Sequence, residues 1–417
     1  MSERDHGGRF DTHIAWLAVV LAFSLPLYRP WVTLASSLIM ILWLVGGALR
    51  SRAGALRADR LSLSVLLFVA LNLLSLIWSD DPRAGIDYLT KYRYLLLVPM
   101  IATSLGPAFR RRMVTAFSLA AGFSVILSWS VFSGLVTLRG VSAGNPAPTM
   151  SHIDYSVVLA LAALLTLNRV LNEELTKGPR LAWAANFALI ASGLLINLGR
   201  SGQLAFAGGF LALGLHWAGR RSWKTSVAFV AASAVIFTLV WAAAPRLRHR
   251  IERARDELQA ALVDHRYQSN LGNRVAANLV AAEIVRGRPV LGTGVGGNMA
   301  EFRHLLDTEF PDLKPAVYWY PHLHNEYAQV ATELGLAGLL SLAWVFWEIL
   351  RGPYKNREVD GAAIVLATVY LIGFLGDPFL HKQIPLVAFA VFAGLLAQAE
   401  KEPSLREGEL KVHARAG

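Results

Sequence analysis

Long apolar runs alternate with short polar connections along most of the chain. A helix needs about 20 mainly apolar residues to cross about 30 Å of hydrocarbon. By this measure the pattern predicts an all-α polytopic membrane protein with twelve transmembrane helices. Their approximate limits are 12–28, 31–49, 61–79, 86–105, 113–137, 153–169, 181–198, 201–218, 223–244, 324–350, 359–375 and 385–399.

One long polar interruption, Pro245 to Leu323, separates the ninth and tenth spans. Within it, RHRIERARDELQAALVDHR predicts an amphipathic helix of mixed charge. NRVAANLVAAEIVRG predicts a second helix, ended by Gly287 and Pro289. The predicted organisation is a membrane domain with spans 1–9 in residues 1–244, a mostly helical segment in 245–323, spans 10–12 in 324–400, and a polar, disordered tail in 401–417.

The positive charges predict the orientation. Loops after even-numbered spans, together with the two termini, hold 22 of the 40 Lys and Arg residues, whereas the short loops on the opposite side hold 7. The positive-inside rule therefore places both termini in the cytoplasm. The other 11 lie in the long segment 245–323, which is too long for the rule and falls on the external face.

Composition agrees with a membrane protein. The chain is 54% hydrophobic and 17% charged with a mean hydropathy of +0.43, whereas soluble domains carry about a quarter charged residues. Its net charge of +11 follows mostly from the topology and so does not indicate nucleic-acid binding. The chain has no cysteine, which excludes disulfides and thiol chemistry.

Several polar residues fall on the predicted external surface although they come from separate stretches of the chain. Ionisable groups at membrane depth are costly and usually mark substrate or ion paths. This comparison selects Arg200, Arg274, His324 and Asp377, with Lys91 and Arg93 at the start of the fourth span.

The two arginines each admit two interpretations. Arg200, in a tight turn between apolar helices, is either an arginine extending to the interface or a ligand of an anionic lipid headgroup, because guanidinium binds phosphate oxygens in pairs. Arg274 opens the second predicted helix of the long segment. Arg274 either lies on a solvated helix face or binds the same anionic group as Arg200.

His322 and His324 form an H-x-H pair before the tenth span. Zinc would need a third ligand, and no Cys or H-x-x-E motif lies nearby, so no metal is expected. A single neutral histidine acting as base or hydrogen-bond partner fits better. The alternative is a helix start capped by Asn325 or His324. Asp377 is likewise either functional or a cap before Pro378.

The stretch LGTGVGG contains G-x-G-x-x-G at Gly292, Gly294 and Gly297. No strand–helix–strand unit surrounds it, so a dinucleotide site is not indicated. A tight turn is predicted.

Several of these stretches resemble the O-antigen ligase (WaaL) family of the O-antigen ligase/polymerase superfamily. HNEYAQVATELGLAG resembles its H-[NSQ]-x9-G-x-x-[GTY] motif, from His324 and Asn325 to Gly335 and Gly338. RSGQL, beginning at Arg200, resembles its R-x3-L motif. RGRPVLGTGVGGN resembles a stretch that these ligases share with O-antigen polymerases. The likeness extends from about residue 61 to residue 396.

The resemblance implies a GT-C-like glycosyltransferase of the bacterial inner membrane, facing the periplasm, in lipopolysaccharide biosynthesis. It implies transfer of O-antigen polysaccharide from undecaprenyl diphosphate to a sugar hydroxyl of lipid A–core, without nucleotide, metal or other cofactor. Expected roles are His324 as base, with Glu326 as the second choice. Arg200, Arg274, Lys91 and Arg93 are expected to bind the diphosphate, and Asn325, Asp377 and His322 to provide support.

Three rival functions stay open. An O-antigen polymerase would use the same donor with a lipid-linked glycan as acceptor. A protein O-oligosaccharyltransferase would transfer to Ser or Thr of a periplasmic protein. A transporter for lipid-linked sugars would be expected to carry charges and broken helices at the bilayer midplane, whereas the charges here cluster at one surface.

Overall fold

The computed structural model describes residues 9–243, 245–352, 354 and 356–399. Within these residues the chain forms eighteen α-helices and four short 3-10 helices, and no strand. The predicted tail, 401–417, lies outside the described residues. The all-helical prediction is confirmed for the described part of the chain.

The first nine helices cover the first half of the chain. They are α1 (Asp11–Ser24), α2 (Arg29–Val45), α3 (Leu49–Ala58), α4 (Arg60–Leu74), α5 (Pro82–Tyr92), α6 (Leu97–Ser104), α7 (Pro107–Phe132), α8 (His152–Asn172) and α9 (Lys177–Ile196). Short 3-10 turns extend α4 and join α5 to α6 at Ser75–Trp78 and Arg93–Leu96.

The remaining nine helices are α10 (Arg200–Gly219), α11 (Trp223–Ala243), α12 (Pro245–Leu262), α13 (Asn270–Gly287), α14 (Asn298–Thr308), α15 (Lys314–Val317), α16 (Glu326–Arg351), α17 (Arg357–Gly373) and α18 (Gln383–Ala399). Further 3-10 turns lie at Pro311–Leu313 and Phe379–His381. The two helices predicted in segment 245–323 correspond to α12 and α13, and α13 ends at Gly287 as predicted.

Five helices of the described part are long and apolar enough to cross a membrane: Arg60–Trp78, Ala108–Phe132, His152–Asn172, Lys177–Ile196 and Glu326–Arg351. A sixth is obtained if α2 and α3, bent by 111°, count as one span. The helices α1 and α18 are apolar but shorter. The twelve-span count and the external position of segment 245–323 therefore stay predictions.

The helix α8 lies at the centre of the bundle, packed between α9, α10 and α17. Thirteen of its residues are buried. Close approach of α10 depends on glycine, because a β-carbon on Gly199 or Gly202 would collide with Ser156 of α8. The starts of α8 and α10 are thereby held together at one end of the bundle.

Segment 245–323 has an apolar core of its own. Buried side chains of α13, α14 and α15, among them Val280, Phe302 and Val317, form a cluster separate from the large core of the bundle. Leu323, the last buried member, leads directly into α16. This small core therefore fixes the chain that enters α16.

The long helix α16 is broken at Gly335, which has φ 61° and ψ −152°. Leu336 and Ala337 donate their amides to the Pro289 and Val290 carbonyls, at 2.9 and 3.1 Å. The carbonyls of Thr332 and Glu333, which those amides would bond in an unbroken helix, accept from Thr293 and Gly294 instead, both at 2.9 Å. The predicted tight turn at 291–297 is confirmed. Together with Pro289 and Val290, it pairs these two amides and two carbonyls at the break.

Gly335 and Gly338, which end the family motif, do not mediate packing against another long helix. A β-carbon on Gly335 would collide with the Val290 carbonyl in the tight turn, and one on Gly338 would meet Leu334 of the same helix. The backbone angles at Gly335 are accessible almost only to glycine. The spacing from His324 to Gly335 therefore sets the length of the helical arm between the polar start of α16 and its break.

Candidate active site

Three helix starts and one turn meet at the same place in the bundle. The starts of α8, α10 and α16 lie here, and the turn after α17 carries Gly376 and Asp377. A β-carbon on Gly376 would collide with Ser201 and come within 3.4 Å of Arg274 Nη1. The structure thus brings the neighbourhoods of Arg200, Arg274 and Asp377 together, although they lie far apart in sequence.

His324 is oriented by Asp377. Its Nδ1 lies 2.9 Å from Asp377 Oδ1, and its backbone has a φ of 52°, an uncommon value for a residue with a side chain. The Asp377 side chain is fully buried, whereas the His324 side chain is 18% exposed. Such local strain is concentrated at functional sites, and the exposed fraction leaves the imidazole accessible.

Asp377 is ionised despite its burial. Burial alone would raise its pKa, but the hydrogen bond from His324 and the ammonium of Lys382 lower that pKa to about 2. An ionised Asp377 accepts the hydrogen on His324 Nδ1, so in the neutral form of the imidazole the lone pair lies on Nε2. We assign this tautomer from the hydrogen-bond network. The result is an imidazole with an unprotonated nitrogen, the arrangement that a general base requires.

His322 lies beside this pair. Its ring centroid is 4.2 Å from that of His324, and its Nδ1 is 3.9 Å from Asp377 Oδ1. Burial, reinforced by the neighbouring His324 and by the charges of Lys382 and Lys91, lowers the pKa of His322 to about 3. His322 is therefore neutral at neutral pH.

The prediction that the H-x-H pair has no third ligand nearby is wrong. His322, His324 and Asp377 offer ligand atoms that lie within 4.8 Å of one another. The missed ligand comes from the turn after α17, which sequence spacing does not reveal. However, Lys382 contacts the same carboxylate, and Lys91 lies near enough to lower the pKa of His322. This positive surrounding favours an anion over a divalent cation.

Sequence reasoning missed Lys382 and Asp154. Lys382 Nζ contacts Asp377 Oδ2 and lies 3.4 Å from Asp154 Oδ1 at the start of α8. The lysine therefore connects the turn after α17 to α8 through two carboxylates. The only sequence signal was its position five residues after Asp377.

Arg274 presents a positive charge without a carboxylate partner. Within the described part of the chain it has no ion pair, and its side chain is half-buried. Arg200, at the start of α10, lies 3.4 Å from Glu257 of α12. Arg274 and Asp377 both shift the pKa of the Tyr320 hydroxyl, which burial raises. Tyr320 in turn packs against His324, so the Arg274 guanidinium lies near His324.

Lys91 and Arg93 differ in their placement. The Lys91 ammonium lies 5.1 Å from the centre of the Tyr88 ring, and burial lowers its pKa. It is also near enough to lower the pKa of both His322 and His381. Arg93 is exposed and donates to the carbonyl of Thr90, near the end of α5, at 2.6 Å. Lys91 therefore lies beside the site, whereas the contacts of Arg93 are local.

Asn325 caps α16. Its Oδ1 accepts from the amides of Tyr327 and Ala328, and its Nδ2 donates to Asn278 Oδ1 at 3.2 Å. Asp377 therefore contacts His324, whereas Asn325 ties the start of α16 to α13. The preference for Asn at a helix N-cap explains this placement.

Glu326 lies away from His324. It is fully buried, and its Oε2 accepts from the Leu380 amide at 2.8 Å. Its other oxygen faces His381 Nε2 at 3.8 Å, as does Glu333 Oε2. His381 Nε2 lies 2.8 Å from the Tyr92 hydroxyl. Glu326 thus belongs to a buried polar cluster beneath the site, where no acceptor hydroxyl has access.

Part of the chain, from the middle of α9 into α16, is similar to a known protein family. Residues 185–343 match the family model described as O-Antigen ligase. This match supports the superfamily of O-antigen ligases and polymerases, and with it a membrane enzyme of glycosyl transfer. No curated protein sequence matches the chain.

The matched residues coincide with part of the site. They include Arg200, Arg274 and His324, together with the tight turn and the break at Gly335. Asp377, which orients His324, lies beyond them. The match covers ligases and polymerases alike, so it does not distinguish one acceptor from another.

Proposed function

We propose that the protein is an O-antigen ligase. It would move a polysaccharide from undecaprenyl diphosphate to a sugar hydroxyl of lipid A–core, at the periplasmic face of the inner membrane. The observation that carries this proposal is the His324–Asp377 pair beside the unpaired guanidinium of Arg274. A base next to a free cation suits an acceptor that loses a proton and a donor that releases a diphosphate.

The donor diphosphate would be held by Arg274 and Arg200, with Lys91 as a third cation. Guanidinium groups bind phosphate oxygens bidentately and keep their charge at all accessible pH values. Arg200 begins α10, where the positive end of the helix dipole also favours an anion. As the bond to the sugar breaks, negative charge grows on the diphosphate. These cations therefore stabilise the transition state more than the ground state.

The acceptor would be activated at His324. Nε2 takes the hydroxyl proton while the oxygen attacks the anomeric carbon from the face opposite the diphosphate. The new glycosidic bond forms as the bond to the diphosphate oxygen breaks, and the diphosphate leaves with the electron pair. Asp377 stabilises the imidazolium that results. This in-line displacement inverts the anomeric configuration and needs no covalent glycosyl-enzyme.

A reconstituted enzyme offered three acceptors at once tests the substrate assignment. The purified protein in liposomes would receive undecaprenyl-diphosphate glycan, lipid A–core, a second lipid-linked glycan and a Ser- and Thr-rich periplasmic protein, with EDTA present. Glycan on lipid A–core is expected. Elongated lipid-linked glycan would identify a polymerase, and glycosylated protein would identify a protein O-oligosaccharyltransferase. Movement of the lipid-linked glycan across the membrane without transfer would identify a transporter.

A further inference from the structure

Trp319 is an exposed aromatic residue next to the candidate site. It lies in the turn after α15, and 66% of its surface is exposed. Tyr320, which follows it, is buried, and its amide donates to the Val317 carbonyl at 3.0 Å. The turn is therefore anchored by its neighbour while the indole faces outward.

A continuous series of ring contacts connects this indole to the base. The centroids of Trp319 and Tyr320 are 4.7 Å apart with their planes at 84°. Those of Tyr320 and His324 are 4.6 Å apart. Edge-to-face packing fixes ring orientation. Trp319 thus lies two ring contacts from the imidazole.

The edge-to-face contact with Tyr320 leaves an indole face open. The C–H bonds on one side of a pyranose carry partial positive charge and pack well on the electron-rich face of an aromatic ring. The segment carrying Trp319 is held by the small core of α13, α14 and α15 and leads into His324. An indole on such an anchored segment positions a ligand next to the site at little entropic cost.

We infer that Trp319 is a stacking platform for a pyranose ring adjacent to the one that reacts at His324. This inference rests on the proposed function, since it assumes that sugars arrive at this site. The stacked ring belongs either to the acceptor oligosaccharide or to the donor glycan, and both present the same chemistry. Trp319 would thereby contribute to sugar binding without touching the reacting atoms.

Binding measured without transfer tests this inference separately from the reaction. Wild-type protein in nanodiscs would be titrated with delipidated core oligosaccharide and, in a second arm, with a soluble fragment of the donor glycan. Trp319→Ala is expected to weaken one of the two about tenfold, and Trp319→Phe to recover most of the loss. Trp223→Ala is the matched control, because Trp223 is 72% exposed at the start of α11.

The probe whose binding is weakened by Trp319→Ala identifies the source of the stacked ring. Equal binding of both probes by wild type and Trp319→Ala would overturn the inference, as would no binding by folded wild type. A parallel transfer assay separates the two claims. Sugar binding that depends on Trp319 without any transfer would retain the platform and reject the proposed reaction. In an active enzyme, Trp319→Ala should raise KM for the same substrate and leave kcat nearly unchanged.

Discussion

His324 Nδ1 and Asp377 Oδ1 lie 2.9 Å apart although 53 residues separate them in the chain. The contact joins the start of α16 to the turn after α17. It fixes the imidazole ring and leaves Nε2 for substrate. The main consequences of the proposed function can be traced to this pair and to the cations around it.

Replacing Asp377 by Asn tests the orientation of the base. The amide carries no charge and can donate to Nδ1, which would place the imidazole proton on Nε2. We expect kcat for transfer to fall by about 10²–10⁴-fold, the usual contribution of general base catalysis. KM for either substrate should change little. A wild-type kcat in folded Asp377→Asn protein would contradict the assignment of His324 as base.

Glu326→Gln tests the second choice of base. Glu326 is buried against the Leu380 amide and faces His381, so an amide of equal size should fit there. We expect the transfer rate to stay within about threefold of wild type, because no transition-state contact is lost. A loss as large as that of His324→Ala would instead make Glu326 the base.

Arg274 is expected to bind the donor. Truncating a charge that is hydrogen-bonded to its ligand costs about 1.5–3 kcal/mol, so Arg274→Ala should lower kcat/KM for the lipid-linked donor by about 10- to 100-fold. Arg274→Lys should restore part of the lost kcat/KM, since the positive charge remains but the bidentate guanidinium is lost. Arg286→Ala is the control. That side chain is 76% exposed on the same helix and pairs with Glu283. Equal effects of the two alanine variants would refute a specific donor contact.

Acid should destabilise the protein through His322. Its pKa is about 3 in the folded protein, against 6.5 for the free side chain. The unfolded chain therefore binds more protons between these values, and stability decreases as pH falls from 6.5 towards 3. Asp377, with its pKa lowered to about 2, adds a loss in the same direction below about pH 4.

Thermal unfolding in detergent from pH 7 to pH 4 measures this effect. His322→Asn should flatten the dependence of Tm on pH, whereas the same change at the exposed His265 should leave it as in wild type. Identical slopes for wild type and His322→Asn would show that His322 is not held neutral by the fold.

The break in α16 should require glycine. At Gly335 an alanine would adopt backbone angles that cost about 1–3 kcal/mol, and its β-carbon would collide with Val290. We expect Gly335→Ala to lower Tm and transfer activity together, because the arm carrying His324 would shift. Gly54→Ala in α3 is the control. That position has open space, and alanine should raise stability by up to about 1 kcal/mol. Unchanged Tm in Gly335→Ala would reject the strained break.

Local patterns were enough to predict most of the helices. Apolar periodicity and capping residues located α12, α13 and the start of α16. The break at Gly335 was missed because the motif looks like a continuous apolar helix. Its backbone groups are satisfied by Pro289–Gly294, and no local rule predicts a partner that lies so far away in the chain.

The candidate site, too, was predictable only in part from the sequence. Sorting polar residues by side of the membrane selected His324, Arg274 and Asp377. It did not reveal that Asp377 completes a three-residue set with His322, or that Lys382 and Asp154 adjoin it. Those contacts depend on how α8, α16 and α17 pack, which spacing along the chain does not encode. Glu326 lies two residues after His324, but its carboxylate is buried against the Leu380 amide, since α16 begins between them.

The most direct test of the account is glycan transfer by purified protein in liposomes, with undecaprenyl-diphosphate glycan and lipid A–core but no nucleotide or added metal. The account expects wild type to place glycan on lipid A–core and His324→Ala, checked for folding, to lose that transfer. Transfer by His324→Ala at the wild-type rate, or none by folded wild type, would contradict it.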